Sequence, residues 1–160
     1  MYIRPLATKQ ADAGPLMPQV EFHILSEAGD VARLRHACQL TEKAYEQGQR
    51  VYVLTADDAE AQRLDEMLWT FRDQAFIPHE VISPSSPTHP RIMAVIGATE
   101  PPPEGFQALL INMSNTLPVS VDVFARICEV VDADPQRKQQ ARDRFKQYRD
   151  RGDQLQTINQ

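Results

Sequence analysis

The chain has 160 residues, 42% hydrophobic and 24% charged, with a formal net charge of -5; that is enough for one ordinary core and short for two. No apolar run approaches the roughly 20 residues that cross a bilayer, so a membrane location has no support. The two cysteines, Cys38 and Cys128, form neither a C-x-x-C motif nor a disulfide framework, which predicts reduced, buried thiols in a cytoplasmic protein.

Residues 1–17 combine Pro5, Gly14 and Pro15 with small side chains and are expected to be a flexible N-terminal extension. Arg4 and Lys9 precede no continuous apolar core, which argues against a secretory signal. A single domain is then expected over 18–160. Val20 to Leu25 alternates and then runs apolar as a sheet-bound strand does. Val31, Leu34, Cys38, Thr41, Ala44 and Tyr45 recur at helical spacing, predicting a helix over 30–47 that Gly48 stops. Arg50 to Thr55 is β-branched and aromatic, typical of a strand buried on both faces. Strand, helix and strand in close succession make a βαβ unit with a right-handed crossover, the main warrant for an α/β fold.

Asp57 or Asp58 is placed to cap a second helix whose packed face is Ala61, Leu64, Leu68 and Phe71. Met67 and Trp69 fall off that stripe. With Phe76 they exceed what one packed face needs, so partner surface and core remain alternatives. Phe76 to Ile82 reads as a short edge strand or an extended loop, because Pro78 cannot donate to a ladder. A Pro- and Ser-rich loop follows over 83–90, then a strand over Arg91 to Ile96, a stiff connection through Pro101, Pro102 and Pro103, and another strand within Phe106 to Ile111. A short helix is assigned to Val121–Arg126 and a last strand to Ile127–Val131.

The terminal helix has Asp134 at the N-cap, Pro135 in the first turn and Gly152 at its end. Ala141, Phe145 and Tyr148 form a narrow apolar face, with Lys138, Arg142, Lys146 and Arg149 beside it. Leu155 to Ile158 is expected to fold back along this helix. From Arg137 to Gly152 there are seven basic residues against two acidic ones, about +5 in an acidic chain, leaving about -10 for the rest. A solvated helix face is the bland reading. An acidic peptide is the functional one: Lys138, Arg142 and Lys146 supply cations for carboxylates, and Phe145 and Leu155 an apolar pocket. Direct nucleic-acid binding uses similar cations but is opposed by the acidity elsewhere.

Motifs for chemistry are sparse. Leu25-Ser26-Glu27-Ala28-Gly29 lacks the glycine-rich turn of a dinucleotide site, and no G-x-x-x-x-G-K-[ST] occurs. His23, His36, His79 and His89 show no metal-ligand spacing and read as structural or exposed histidines. Asp57-Asp58 reads as cap and first-turn charge, and Asp65-Glu66 as solvated helix surface.

Two blocks carry a family resemblance. Arg63 to Trp69 followed by Phe76-Ile77-Pro78-His79, and Glu129 to Asp132 followed by Ala141 to Arg149, resemble the chi subunit of bacterial DNA polymerase III holoenzyme. Val20 to Leu25 and Arg50 to Leu54 fit as well. The likeness spans about residues 18–157 and is weak through 83–118.

The resemblance implies a three-layer α/β/α Rossmann-like domain with a mostly parallel sheet, no nucleotide-binding glycine loop, no cofactor and no catalytic site. It further implies a replisome adaptor linking the clamp-loader complex to the acidic C-terminal tail of single-stranded DNA-binding protein. By position, Lys138, Arg142 and Lys146 would receive the tail's carboxylates, and Phe145, Leu155 and Thr157 would border its end pocket. Trp69 and Phe76 would face the psi subunit or, alternatively, a helicase of the iron-sulfur type. The rival functions are a single-stranded DNA-binding protein and a Rossmann-like enzyme. Residues 1–16 exceed the family's usual start, which falls near Met17. Asp153-Gln154 departs from the family's more apolar character there, predicting a looser pocket beside Leu155.

Overall fold

The computed structural model describes residues 17–72, 76–82 and 89–160. The leader expected over 1–16 and most of the loop at 83–90 lie outside the described residues. Seven strands and three helices follow in order: β1 (Gln19–Ile24), α1 (Asp30–Glu46), β2 (Val51–Leu54), α2 (Asp58–Thr70), β3 (His79–Val81), β4 (Ala94–Gly97), β5 (Leu109–Asn112), β6 (Arg126–Val131), α3 (Pro135–Arg151) and β7 (Gln154–Asn159). The sheet order is β3-β4-β2-β5-β6-β1-β7. Every pairing is parallel.

Right-handed crossovers explain how the layers are assigned. The steps β1 to β2 and β2 to β3 run one way along the sheet, so α1 and α2 share a face, where Leu34, Cys38, Leu64 and Leu68 meet Val53, Ile96 and Ile111. The step β6 to β7 runs the other way and carries α3 to the opposite face, where Ala141 and Tyr148 meet Phe22, Leu110 and Ile127. The later connections also run that way, and their Phe106, Val121 and Phe124 complete the second core, without an α-helix among the described residues of those connections. The Rossmann-like α/β/α arrangement implied by the sequence is therefore present.

Boundaries moved where patterns were ambiguous. The strand expected from Arg91 begins only at Ala94, because Pro90 and Arg91 form a turn in which Ile92 N-H closes onto the His89 carbonyl at 3.0 Å. The helix expected at Val121–Arg126 shrinks to one 3-10 turn, Val121–Val123, and β6 already begins at Arg126. Leu155 to Ile158, expected to fold back on the terminal helix, lies instead in β7, paired with β1 as the sheet's edge. Gly152 turns the chain at φ 93, and the spacing of Leu155 and Ile158 gives no period-two signal. Met67 is not displaced from the core but packs partly against it.

Buried charge fastens the layers. Arg33, 2% exposed, donates to Glu60 at 3.0 Å and to the Met113 carbonyl at 2.8 Å, joining α1, α2 and the end of β5. Glu60 also accepts the Ala56 N-H, beside the Asp57 side chain that caps α2. His36 and His23 contact each other at 3.1 Å. Burial, then the neighbouring His23, holds the His36 imidazole down to about 4, so this ring is neutral near neutrality.

At the start of α3, Asp134 caps the Arg137 N-H, and Arg137 forks onto Asp132 at 2.7 and 2.6 Å. Burial raises the Asp132 carboxyl, but the bonds from Arg137 and from the Gly29 N-H outweigh it and hold the group below its ordinary value of 3.8. A depressed carboxyl stabilises the fold above its unfolded value and loses that contribution as pH falls through the folded one. Asp132→Asn should therefore be destabilised relative to wild type at pH 7, with the gap in urea denaturation closing as the pH falls below about 4. A gap that persists unchanged in acid would reject the role given to this carboxylate.

Candidate functional site

The seven basic residues at 137–151 divide once their partners are known. Arg144 is buried and donates to Glu129 at 2.9 Å. Arg137 is held by Asp132, Arg151 by Asp122 and Asp153, and Arg149 lies 3.7 Å from Asp150. Lys138, Arg142 and Lys146 have no ion-pair partner among the described residues; Arg142 reaches only the Gln139 side chain, at 3.3 Å. These are the three cations the sequence singled out. The ridge is less positive than its composition suggests, and its cations without an ion-pair partner among the described residues lie along one line of the helix.

That line borders a cavity of about 220 Å³ between α3 and the sheet. Phe22, Ile24 and Val131 contribute from β1 and β6, Ala141 and Phe145 from α3, and Thr157 from β7, while Lys138 and Arg142 stand at its rim. Phe22 packs against Phe145 with ring centroids 5.4 Å apart and edge-on against Tyr148 at 5.9 Å. Of the predicted site residues, Lys138, Arg142, Phe145 and Thr157 thus converge. Lys146 is exposed one turn beyond Arg142. Leu155 packs partly into the core on this face and does not line the cavity. Asp153 is buried against Arg151, and neither it nor Gln154 lines the cavity.

Sequence reasoning missed the floor. Phe22 and Ile24 sit in a strand covered on both sides, so periodicity marked them as buried without showing which helix they face. The signal that could have found them is the β1 alternation itself, since Val20, Phe22 and Ile24 share one face.

The helix is held rigidly over this floor. Glu129, fully buried, accepts from Arg144 Nε at 2.9 Å, Tyr148 Oη at 2.7 Å and Asn112 Nδ2 at 2.8 Å. Burial and the adjacent Glu129 charge raise the Tyr148 hydroxyl, so it stays protonated and donating. One carboxylate therefore ties the middle and last turns of α3 to β6 and β5.

A second exposed feature occupies the far edge of the sheet. Trp69, 55% exposed at the end of α2, and Phe76, 60% exposed ahead of β3, stack at 5.7 Å. The buried His79 ring lies beneath Trp69 at 4.8 Å. His79 Nε2 is 3.2 Å from Asp65, so that carboxylate faces a buried ring as well as solvent, without a hydrogen bond between them. Six inter-strand steps separate β3 from β7, roughly 29 Å at the usual spacing.

The first βα turn is not arranged for a phosphate. The Gly29 N-H at the start of α1 is taken by the Asp132 carboxylate at 2.6 Å, an internal anion at the place where a dinucleotide fold receives its own. The class so defined is a Rossmann-like α/β/α domain without the dinucleotide turn, carrying a cation-rimmed apolar groove on one helix and an aromatic pair at the opposite edge. No helix among the described residues is long and apolar enough to cross a membrane.

The chain belongs to the DNA polymerase III chi subunit family, whose model matches residues 17–156. It is 40% identical over 140 residues to DNA polymerase III subunit chi of Pseudomonas aeruginosa, covering 88% of this chain and 95% of that protein. The subunit chi of Haemophilus influenzae is 30% identical over 141 residues, covering 87% and 95%. That of Escherichia coli is 28% identical over 122 residues, covering 75% and 80%. Membership makes the protein a non-catalytic accessory of the replisome, an adaptor between clamp loader and single-stranded DNA-binding protein.

Proposed function

We propose that the groove between α3 and β1 holds the acidic C-terminal tail of single-stranded DNA-binding protein, and that the Trp69–Phe76 face docks the psi subunit of the clamp loader. The observation that carries this reading is the division of the basic residues. The helix cations left without ion-pair partners among the described residues are those beside an apolar cavity, with Lys138 and Arg142 at its rim and Lys146 on the next turn. A peptide ending in an apolar residue and a free carboxylate needs that pairing, with the side chain against Phe22 and Phe145 and the carboxylates on the ammonium and guanidinium groups.

Separation of the two faces by about the width of the sheet suits an adaptor, since the two binding surfaces share no residues. Nucleic acid is the weaker candidate. Single-strand binding needs a cationic track with several stacking aromatics, and the aromatic pair here lies at the edge farthest from the free cations.

The decisive comparison is retention on DNA. Naked single-stranded oligonucleotide should retain little of this protein, whereas oligonucleotide coated with its binding protein should retain it, and a coat lacking the acidic tail should not. Equal retention on naked and coated DNA would replace the adaptor reading with direct binding.

At the other face, Trp69→Ala should weaken psi binding by about 2 kcal/mol or more, as truncation of a central aromatic does, without lowering tail affinity. A helicase of the iron-sulfur type is proposed as an alternative occupant of this face. Competition between it and psi for wild-type protein, lost in Trp69→Ala, would support that sharing; simultaneous binding of both would refute it.

A further inference from the structure

On the face of β1 opposite the groove, a second cluster of side chains remains unused by the adaptor function. Glu21, His23 and Cys128 bring one oxygen, one nitrogen and one sulfur within 4.8 Å of one another. Glu21 and Cys128 are register partners on β1 and β6, and His23 lies two residues along β1, so all three point to the α1 side. Spacing in the sequence concealed them because more than a hundred residues separate Cys128 from the pair.

We propose that Glu21, His23 and Cys128 form a site for a borderline-soft divalent cation of the zinc type.

Two of the three donor-donor distances support the geometry, and the third is bounded at 4.8 Å. Tetrahedral zinc, with bonds of about 2.3 Å to sulfur and about 2.1 Å to nitrogen or oxygen, sets sulfur and oxygen about 3.6 Å apart and nitrogen and oxygen about 3.4 Å apart. Cys128 Sγ lies 3.6 Å from Glu21 Oε1, and His23 Nε2 lies 3.1 Å from the same oxygen. The donor set of thiolate, imidazole and carboxylate suits zinc rather than magnesium or calcium, which prefer oxygen alone.

Two further observations support a built site. His36 Nε2 stands 3.1 Å from His23 Nδ1, the outer partner that orients a ligating imidazole. A cavity of about 420 Å³ opens beside Glu21, His23 and His36, giving a route from solvent and room for a fourth ligand such as water.

Binding rearranges protons in a defined way. In the metal-free protein Glu21 accepts from His23 Nε2-H, and His23 Nδ1 accepts from His36 Nε2-H. On binding, His23 ligates through Nε2 and carries its proton on Nδ1, now donating to His36, whose own proton moves to Nδ1. The Cys128 thiol proton leaves to solvent as the metal-sulfur bond forms, so each cation bound releases one proton.

The nearest opposing charge is Arg126, with Lys43 also on the cavity wall and burial disfavouring the Cys128 thiolate. The Arg126 guanidinium forks onto Glu21, Nε to Oε2 and Nη2 to Oε1, both at 3.0 Å. A cation on Oε1 must displace the Nη2 arm and tolerate the remaining positive charge. Arg126 is therefore a built-in competitor, 30% exposed and bordering the same cavity into which it can swing.

The test uses full-length, metal-stripped protein. Zinc titration by calorimetry should show one equivalent bound, and cobalt should give the intense visible bands of a tetrahedral ion with a thiolate charge-transfer band. The charge-transfer band should vanish in Cys128→Ser and persist in Cys38→Ser. His23→Ala should weaken zinc binding at least about tenfold, while Arg126→Gln should tighten it by about tenfold or more by removing the competing charge. Circular dichroism of each variant separates loss of a ligand from loss of fold. No zinc bound by either wild type or Arg126→Gln, or a charge-transfer band that survives Cys128→Ser, would overturn the site.

Discussion

Arg142→Ala is expected to weaken binding of an acidic tail peptide by about 2–3 kcal/mol, a loss of about 30- to 150-fold. Arg142 lines the apolar cavity on α3, one turn from both Lys138 and Lys146, and has only Gln139 to occupy its guanidinium. Its planar fork can take a carboxylate bidentately, which neither lysine can do. Exposure moderates the effect, since a rim charge is screened, so wild-type affinity should itself fall with salt. Phe145→Ala should cost affinity of similar size with little change in salt dependence, because it removes the wall against Phe22 rather than a charge. Calorimetry at two ionic strengths distinguishes the two losses. Wild-type affinity in Arg142→Ala would remove the groove assignment.

Glu129→Ala should destabilise the protein by about 3–5 kcal/mol, the cost of leaving a buried charge without its partner. Three donors converge on this carboxylate: Arg144, Tyr148 and Asn112. Arg144 is 3% exposed, so water cannot readily replace the lost acceptor. Glu129→Gln keeps the volume but turns an amide group toward donors, and should recover only part of the loss. Urea denaturation measures both variants. Because the same carboxylate seats α3 over Phe22 and Val131, tail affinity should fall in variants that remain folded, although Glu129 does not line the cavity. A loss below about 1 kcal/mol for Glu129→Ala would mean that the network holds nothing of consequence.

These two residues show different degrees of legibility. Arg142 was visible because helical periodicity places Lys138, Arg142 and Lys146 in one row whatever the rest of the chain does. Glu129 was visible only as part of a family-like block, since an acidic residue inside an apolar strand carries no local sign of the partners that neutralise it. Trp69 and Phe76 stood out as an excess over one packed face, but whether that excess met core or solvent depended on which side of α2 the sheet occupied.

What the sequence determined by itself was the set of local periods. Strand and helix alternation, the absence of a phosphate turn after β1, the Asp134 cap and the Gly152 stop all follow from residue type and spacing within a few turns. The α/β class follows from them, because a parallel strand must be reached by a crossover.

Tertiary structure alone decided which charges are free. Asp132, Glu129, Asp122 and Asp153 neutralise Arg137, Arg144 and Arg151, and most of those partners lie on other elements. It also placed Phe22 and Ile24 beneath α3, turned Gln154–Asn159 into an edge strand, and gathered Glu21, His23 and Cys128 on the reverse face. The physical reason is common to all four. Pairing across parallel strands joins residues distant in the chain, and the side chain's alternation assigns each to one of two faces that local pattern cannot tell apart once both are buried.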